Sequence, residues 1–196
     1  MTELLSRVLD FAGLDRGLVR ILTDFADWLR REAIPAGGLG PREGERVESR
    51  HVADSLLFAA VWESEALRPV LDVGSGVGLP GIPLAIAFPK RHFILLDQSL
   101  GRVRLARRAV RVLGLENVDV EQGEARGSEW WDMTVVSRAS LRPDQLLEVC
   151  TVNGRPPELL VAGSHHLRPE APGFETVEIP AEILDRPVWI LRMAQS

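Results

Sequence analysis

Between Val70 and Gly81 the chain reads Val-Leu-Asp-Val-Gly-Ser-Gly-Val-Gly-Leu-Pro-Gly, which sets Asp72 ahead of glycines at 74, 76 and 78. A short apolar run stopped by glycines has the profile of a buried strand entering a tight turn. Glycine reaches positive φ without steric cost and lets a ligand approach the backbone with no Cβ in the way. Two ligand chemistries compete for such a loop. Gly76-x-Gly78-x-x-Gly81 satisfies the dinucleotide pattern, in which N–H groups at a helix start hold a pyrophosphate. Pro80 and Pro83 each remove a donor there, which makes a poor phosphate cradle. In the other register Asp72 offers a carboxylate to a ligand ammonium beside close backbone approach. That arrangement suits the amino acid end of S-adenosylmethionine.

Asp97 closes the next apolar run, Phe93-Ile94-Leu95-Leu96, 19 residues after Gly78. A carboxylate at that distance, one βα step on, can accept hydrogen bonds from both hydroxyls of an adenosine ribose. The bland alternative is a cap for the following helix. Loop and acid together carry far more weight than a glycine pattern alone. Arg138 follows a fourth apolar run, where open parallel sheets put ligands, and suits a contact to phosphate or to a target base. His51 and Asp54 share one helical face on the other side of the loop, either closing the pocket or orienting each other within the fold. Arg104, Arg107, Arg108 and Arg111 recur at three- and four-residue spacing, opposite Val103, Ala106, Val110 and Leu113. This stripe is either a solvated face or a contact to a nucleic-acid backbone, which salt would weaken. His165-His166 reads as an exposed loop pair, and no metal site is expected.

These residues need positioning elements. Leu4, Leu5, Val8 and Leu9, then Leu18, Val19, Leu22, Phe25, Trp28 and Leu29, trace apolar helical stripes. Residues 35–46 are a loop by composition, and a second helical segment carries Val52, Leu56, Ala59, Ala60 and Trp62. From Pro69 onward strands and helices alternate. Strands are expected at 70–73, 93–97, 118–120, 133–136 and 159–161, and helices at 82–88, 101–113 and 143–149. Gly114 is an αL cap for the second of these helices. Five strands alternating with helices call for a parallel sheet covered on both faces. Segments 174–179 and 188–193, separated by a short turn around Asp185-Arg186-Pro187, should pair antiparallel. The expected fold is therefore α/β: a Rossmann-like class I methyltransferase sheet of seven mostly parallel strands with an antiparallel C-terminal pair and N-terminal helices. Residues 1–196 are read as one domain, with 1–67 a helical extension and 68–196 the cofactor-binding core.

Length and composition frame the reading. A chain of 196 residues with 45% hydrophobic and 26% charged residues matches a folded domain, not a disordered or fibrous chain. No apolar run is long enough to span a membrane, and the N-terminus lacks an export-signal layout. Cys150 is the single cysteine, which fits a reducing compartment. From Lys90 to Arg111 seven basic residues stand against one acid, Asp97, although the whole chain carries −5. Overall acidity argues against nonspecific nucleic-acid binding, while the cluster leaves a phosphate-contacting face open. A cytoplasmic monomer without membrane partners is expected.

Arg50-His51-Val52-Ala53-Asp54-Ser55-Leu56 and the run from Asp72 through Gly78-Leu79-Pro80-Gly81-Ile82-Pro83-Leu84-Ala85-Ile86 resemble the 16S ribosomal RNA guanine-N7 methyltransferases, the RsmG/GidB family. The resemblance continues through Leu95-Leu96-Asp97, Leu113 to Val118 and Ser137-Arg138-Ala139, covering roughly residues 20–140. It implies S-adenosylmethionine as cofactor and 7-methylguanosine in the decoding region of small-subunit RNA as product. Cofactor contacts would fall at Asp72, Gly74, Ser75, Gly76, Gly78, Leu79, Asp97, Glu124, Ala125 and Arg138. Arg138, His51 and Asp54 would position the substrate, and Arg102, Arg104, Arg107, Arg108 and Arg111 would meet RNA of the small ribosomal subunit. Guanine N7 carries an in-plane lone pair and no proton at neutral pH, so its methylation needs placement rather than a general base. Four stretches depart from the family pattern: Ala33-Ile34-Pro35, Gly101-Arg102, Gly123-Glu124-Ala125-Arg126 with its charges exchanged, and Ala162-Gly163. They keep open a catalytically impaired cofactor-binding relative acting as an RNA or protein module; modest size and net acidity also permit a small-molecule methyltransferase on the same fold.

Overall fold

The computed structural model describes residues 2–62, 68–125, 133–138, 140–157, 159–165 and 167–193. The described residues form one sheet of seven strands in the order β3-β2-β1-β4-β5-β7-β6. Strands β1 (Val70–Val73), β2 (Phe93–Asp97) and β4 (Thr134–Ser137) are buried along their whole length, as apolar runs covered on both faces should be. β3 (Val118–Gln122) is an edge strand with only Val118 buried. β1 to β5 (Leu159–His165) pair in parallel, whereas β6 (Phe174–Ile179) and β7 (Val188–Met193) pair with each other, and β7 with β5, antiparallel.

Chain direction across the sheet reverses between β1 and β4, because β2 and β3 build outward on one side and β4 and β5 on the other. The helices that follow β1 and β2 are α4 (Gly81–Ala87) and α5 (Leu100–Leu113). α5 starts where Ser99 Oγ accepts the Arg102 amide and ends at Gly114 in αL, at φ +66. Val103, Ala106 and Ala109 form its buried stripe; Val110 and Leu113 of the expected stripe are only half-buried. α6 (Pro143–Cys150) separates β4 from β5, and a single turn, α7 (Ala181–Leu184), lies where only a short turn was expected between β6 and β7.

N-terminal helices α1 (Thr2–Phe11) and α2 (Val19–Trp28) pack their apolar stripes into the same core cluster as Val70 of β1, Phe93 of β2 and Ile82 of α4. Two π-helical stretches, Leu29–Ala33 after α2 and Val47–Val52 before α3 (Ala53–Ala60), flank the 35–46 loop. Trp62 falls outside α3, contrary to the periodicity. Its ring instead packs on Phe88 with Arg91 4.7 Å above it, so side-chain stacking replaces helical continuation.

β5 is longer than its apolar run. It extends to His165 because β7 supplies hydrogen-bonding partners beyond Val161, across an irregularity between Ala162 and His165. His165 therefore lies in a strand, not an exposed loop, while His166 and Arg126 lie outside the described residues. Among the described residues no helix is long and apolar enough to cross a membrane, and no His, Cys, Asp and Glu group has metal-site geometry.

Candidate active site

The glycine loop turns because its residues let it. Gly74, Gly76 and Gly78 have φ of +71°, +58° and +99°, the left-handed region in which a Cβ clashes with its own backbone. Close packing also excludes a side chain at Gly74 and, independently of backbone angle, at Gly81. A Cβ on Gly74 would stand 2.2 Å from Ser140 Cβ, and one on Gly81 would stand 2.1 Å from Leu95 and 2.7 Å from Asp72 Oδ2. At Gly76 nothing lies within 4 Å of a Cβ, so the backbone there borders open space.

That space is a cavity of about 550 Å³, within the range of small-molecule sites. It opens at the carboxyl ends of the strands, at the β1–β4 reversal where doubly wound sheets hold ligands. Gly74, Ser75, Gly76 and Leu79 line it from the loop, Asp97 from β2, Glu124 and Ala125 from the segment after β3, and Arg138 from the end of β4. Arg102 lines it from the first turn of α5. Gly38 and Leu39 of the 35–46 loop also reach the wall, which sequence reasoning missed. Gly38 could have flagged this: a Cβ there would come within 2.5 Å of Val77 and 2.8 Å of Leu105, so the segment packs backbone-first on the glycine loop and α5.

Asp97 is buried, and each of its oxygens is oriented by an amide. Oδ2 accepts from Gly76 N–H at 2.9 Å and Oδ1 from Ser99 N–H at 2.8 Å. A carboxylate offers about four lone-pair sites, so each oxygen keeps capacity for a ligand hydroxyl. The helix cap and the ribose acceptor are thus compatible roles, with Ser99 rather than Asp97 supplying the cap on α5.

Asp72 sits differently from its expected place. It lies fully buried behind the loop, not among the lining residues, and Oδ2 holds the Gly81 amide at 2.7 Å. Gly78 likewise supports the loop from behind: a Cβ there would meet Ile82 at 2.3 Å, and it is not on the wall. Burial pushes the Asp72 carboxyl up to about 7, with the Gly81 hydrogen bond and Arg138 opposing and Asp97 adding. Asp72 Oδ1 and Ser75 Oγ are buried without a hydrogen-bond partner, an arrangement costing about 1–3 kcal/mol per group. Of the two, only Ser75 lines the cavity, so its hydroxyl is the one placed to take a hydrogen bond from a ligand.

On the opposite wall the polar groups are already paired. Arg138 donates from Nη1 to the Arg50 carbonyl at 2.8 Å and from Nη2 to His51 Nδ1 at 3.1 Å. His51 Nε2 meets Glu43 Oε2 at 2.9 Å, so His51 stands behind Arg138 and off the wall. Burial, and then the Arg138 charge, pull the imidazole below its ordinary value, while the Glu43 hydrogen bond opposes them. Burial also lowers the Arg138 guanidinium, with Asp54 and Asp72 opposing. Asp54 was expected to help close the pocket. Instead its carboxylate meets Arg186, next to α7, at 2.9 Å and stays off the wall, since a buried acid is stabilised by a cation. The hydroxyls of Ser137 and Ser140 both donate to the Val73 carbonyl at 2.8 Å.

The arginines of α5 divide as well. Arg107 donates twice to the Val120 carbonyl, covering the exposed strand β3, and Arg108 pairs with Glu32 at 3.0 Å. Both were candidates for RNA contact; the first is bonded to the edge strand and the second to the π-helical stretch after α2. Among the described residues Arg104 and Arg111 remain exposed without a side-chain partner.

The family described as rRNA small subunit methyltransferase G matches residues 19–165, three quarters of the chain. The chain belongs to that family. Ribosomal RNA small subunit methyltransferase G of Mycobacterium marinum is 43% identical over 101 residues, covering 52% of this chain and 43% of its own. That of Methylococcus capsulatus is 43% identical over 121 residues, covering 59% and 56%. The chain spans about half the length of the curated relatives it matches. Among solved structures, a SAM-dependent methyltransferase from Aquifex aeolicus superimposes with TM-score 0.54 at 16% identity, over 82% of this chain and 96% of that one. A mutant of MtNAS in complex with S-adenosylmethionine gives TM-score 0.56 at 14% identity, over 98% and 78%. At such identities the likeness is one of fold, and the fold is the Rossmann-like class I methyltransferase type expected from the strand pattern.

Proposed function

We propose that this protein transfers a methyl group from S-adenosylmethionine to N7 of a guanine in 16S ribosomal RNA, acting in the cytoplasm on RNA of the small ribosomal subunit. The observation that carries the reading is the cavity at the β1–β4 reversal, bounded by a side-chain-free loop on one side and the Asp97 carboxylate on the other. Family membership supports the substrate. Residues 1–67 and 68–196 act as a single domain in this reading, since Gly38 and Leu39 of the extension border the same cavity.

Asp97 would hold the ribose hydroxyls, with Gly74, Ser75, Gly76, Leu79, Glu124 and Ala125 forming the walls around the nucleoside and amino acid ends. Asp72 and Gly78 would act indirectly by holding the loop. When bound, the cofactor supplies a methyl group on a positively charged sulfur. Guanine N7 presents its lone pair without losing a proton, so no residue of the chain has to serve as general base. Positive charge moves from sulfur to the purine as the methyl group passes, which favours fixed charges around the site over titrating ones. Arg138 would bind the base or its phosphate, and Arg102, Arg104 and Arg111 would meet the RNA backbone.

Labelled methyl incorporation into small ribosomal subunits from a strain lacking this activity tests the proposal, with transfer to one guanine expected. Absence of incorporation at every protein concentration would reject it. A second reading is a cofactor-binding relative that only docks on RNA or protein. It is favoured by the internal pairing of Arg138 and Asp54, and turnover in the same assay would remove it.

A further inference from the structure

Glu43, His51 and Arg138 form a connected chain of side chains from three separate segments: the 35–46 loop, the π-helical stretch before α3, and the end of β4. Arginine can only donate hydrogen bonds, so the ring nitrogen facing it, Nδ1, must be the one without a proton. The proton then sits on Nε2 and is donated to Glu43. Geometry alone therefore selects one tautomer of a neutral imidazole. Arg138 lines the cavity directly; Glu43 lies off the wall, a few residues along the segment whose Gly38 and Leu39 line it. Glu43 is itself fixed, donating its amide to the Gly40 carbonyl at 3.0 Å and accepting from the Arg46 amide at 2.9 Å. The backbone of His51 is fixed too, because Ser55 Oγ donates to its carbonyl at 2.6 Å.

We propose that Glu43 and His51 are positioning residues that hold Arg138 at the cavity wall, with neutral His51 as the acceptor and Glu43 as its anchor. This rests on the methyltransferase reading only for its kinetic consequence. If His51 gains a proton, Nδ1 becomes a donor facing a donor and two cations stand 3.1 Å apart, so Arg138 loses that support. The charged groups facing His51 are Glu43, Arg138 and Arg50; Arg138 also feels Asp54 and Asp72, and Glu48 on the same helical stretch is turned to Arg30. Two of the three groups around the ring are cations, and the lowered imidazole pKa agrees with that surplus. A pocket assembled this way loses Arg138 ordering as the medium becomes acid.

The test reads the ring itself. Long-range nitrogen NMR of the full chain at pH 8 should show His51 as the Nε2–H tautomer, titrating below pH 6.5. Arg138→Gln should raise the titration midpoint, and Glu43→Gln should lower it, each by about one pH unit or more. An Nδ1–H tautomer, or a midpoint insensitive to Arg138→Gln, would overturn the proposal. On small ribosomal subunits, His51→Leu should lower kcat/KM at least about 30-fold. His51→Asn, which keeps an acceptor near the Nδ1 position, should recover most of that loss and abolish the acid limb of the pH profile. Equal losses in both variants with an unshifted acid limb would mark a structural role and sink the idea. If the wild type methylates no RNA, the functional reading fails, while tautomer and midpoints still decide this inference.

Discussion

The two walls of the cavity are built on opposite plans. On the β1–β2 side the backbone itself is the binding surface, and two buried side-chain atoms, Asp72 Oδ1 and Ser75 Oγ, wait without partners. On the β4 side the polar groups near the cavity are already engaged: Arg138 by His51 and Arg50, Ser137 and Ser140 by Val73, and behind them Asp54 by Arg186. Of the two unpartnered groups on the first side, Ser75 lines the cavity and Asp72 lies behind it, so only the Ser75 hydroxyl is placed for a ligand to relieve; a satisfied wall must be held rigid or pried open. Under the proposed function, the first wall would set cofactor affinity and the second would place the substrate.

The sharpest way to break that contrast is to fill the first wall. Gly74→Val should abolish cofactor binding and cost several kcal/mol of stability, because its Cβ meets Ser140 at 2.2 Å and its φ is +71°. Gly76→Ala, with open space around its Cβ, should cost only about 1 kcal/mol in stability. Calorimetry with S-adenosylhomocysteine against thermal unfolding of the two variants checks the pair.

Asp97→Ala should weaken cofactor binding about 100-fold, since two ordered acceptor oxygens are lost with their Gly76 and Ser99 contacts. Equal affinity in the variant would detach Asp97 from the ligand.

Asp72 gives a prediction with opposite signs for stability and function. Its carboxyl is raised to about 7 by burial, so the folded state holds its proton more tightly than the unfolded chain does. The associated stability is full below the unfolded pKa, near 3.8, and is lost as pH rises through about 7. Asp72→Asn should therefore stabilise the protein at pH 8 by about 2 kcal/mol. That is less than the roughly 4 kcal/mol separating a pKa near 7 from 3.8, because the new amide needs its own partner. Denaturant melts at pH 5 and pH 8 read the difference, and cofactor affinity should fall in the same variant.

On the paired wall, Arg186→Ala should cost about 1–3 kcal/mol of stability by weakening the ion pair of buried Asp54. Cofactor affinity should stay within about twofold. A large drop in affinity would bring Asp54 back to the pocket. The smallest effect is expected from Arg104→Ala with Arg111→Ala: stability within about 0.5 kcal/mol, and an RNA-binding salt slope reduced by about 1–2. A filter-binding titration across salt concentrations measures it, and an unchanged slope would leave these arginines as plain solvated surface.

The first wall was legible because its chemistry is local. Glycines at 74, 76 and 78 and an acid one βα step later state their backbone demands in a short stretch, and the strand periodicity around them gave the sheet and its antiparallel ending. The second wall was only partly legible. Arg138, His51 and Asp54 were recognisable as polar groups at the right element ends, but what each bonds to depends on segments far apart in the chain. Arg186 lies 132 positions from Asp54 and Arg138 lies 87 from His51. Glu43, Gly38 and Leu39 went unnoticed because a loop rich in glycine and proline carries no periodicity to say which way it folds back.

Sequence alone determined the alternation of strands and helices, the left-handed turn after β1 and the acid at the end of β2, since each follows from short-range backbone preferences and apolar spacing. Tertiary structure decided which polar groups remain available to a ligand. It buried Asp72 behind the loop, spent Arg107 and Arg108 on β3 and α2's extension, and brought the 35–46 loop onto the cavity. The physical reason is that hydrogen-bonding capacity is shared among all groups within about 3 Å, and that neighbourhood is set by the folded packing rather than by order along the chain.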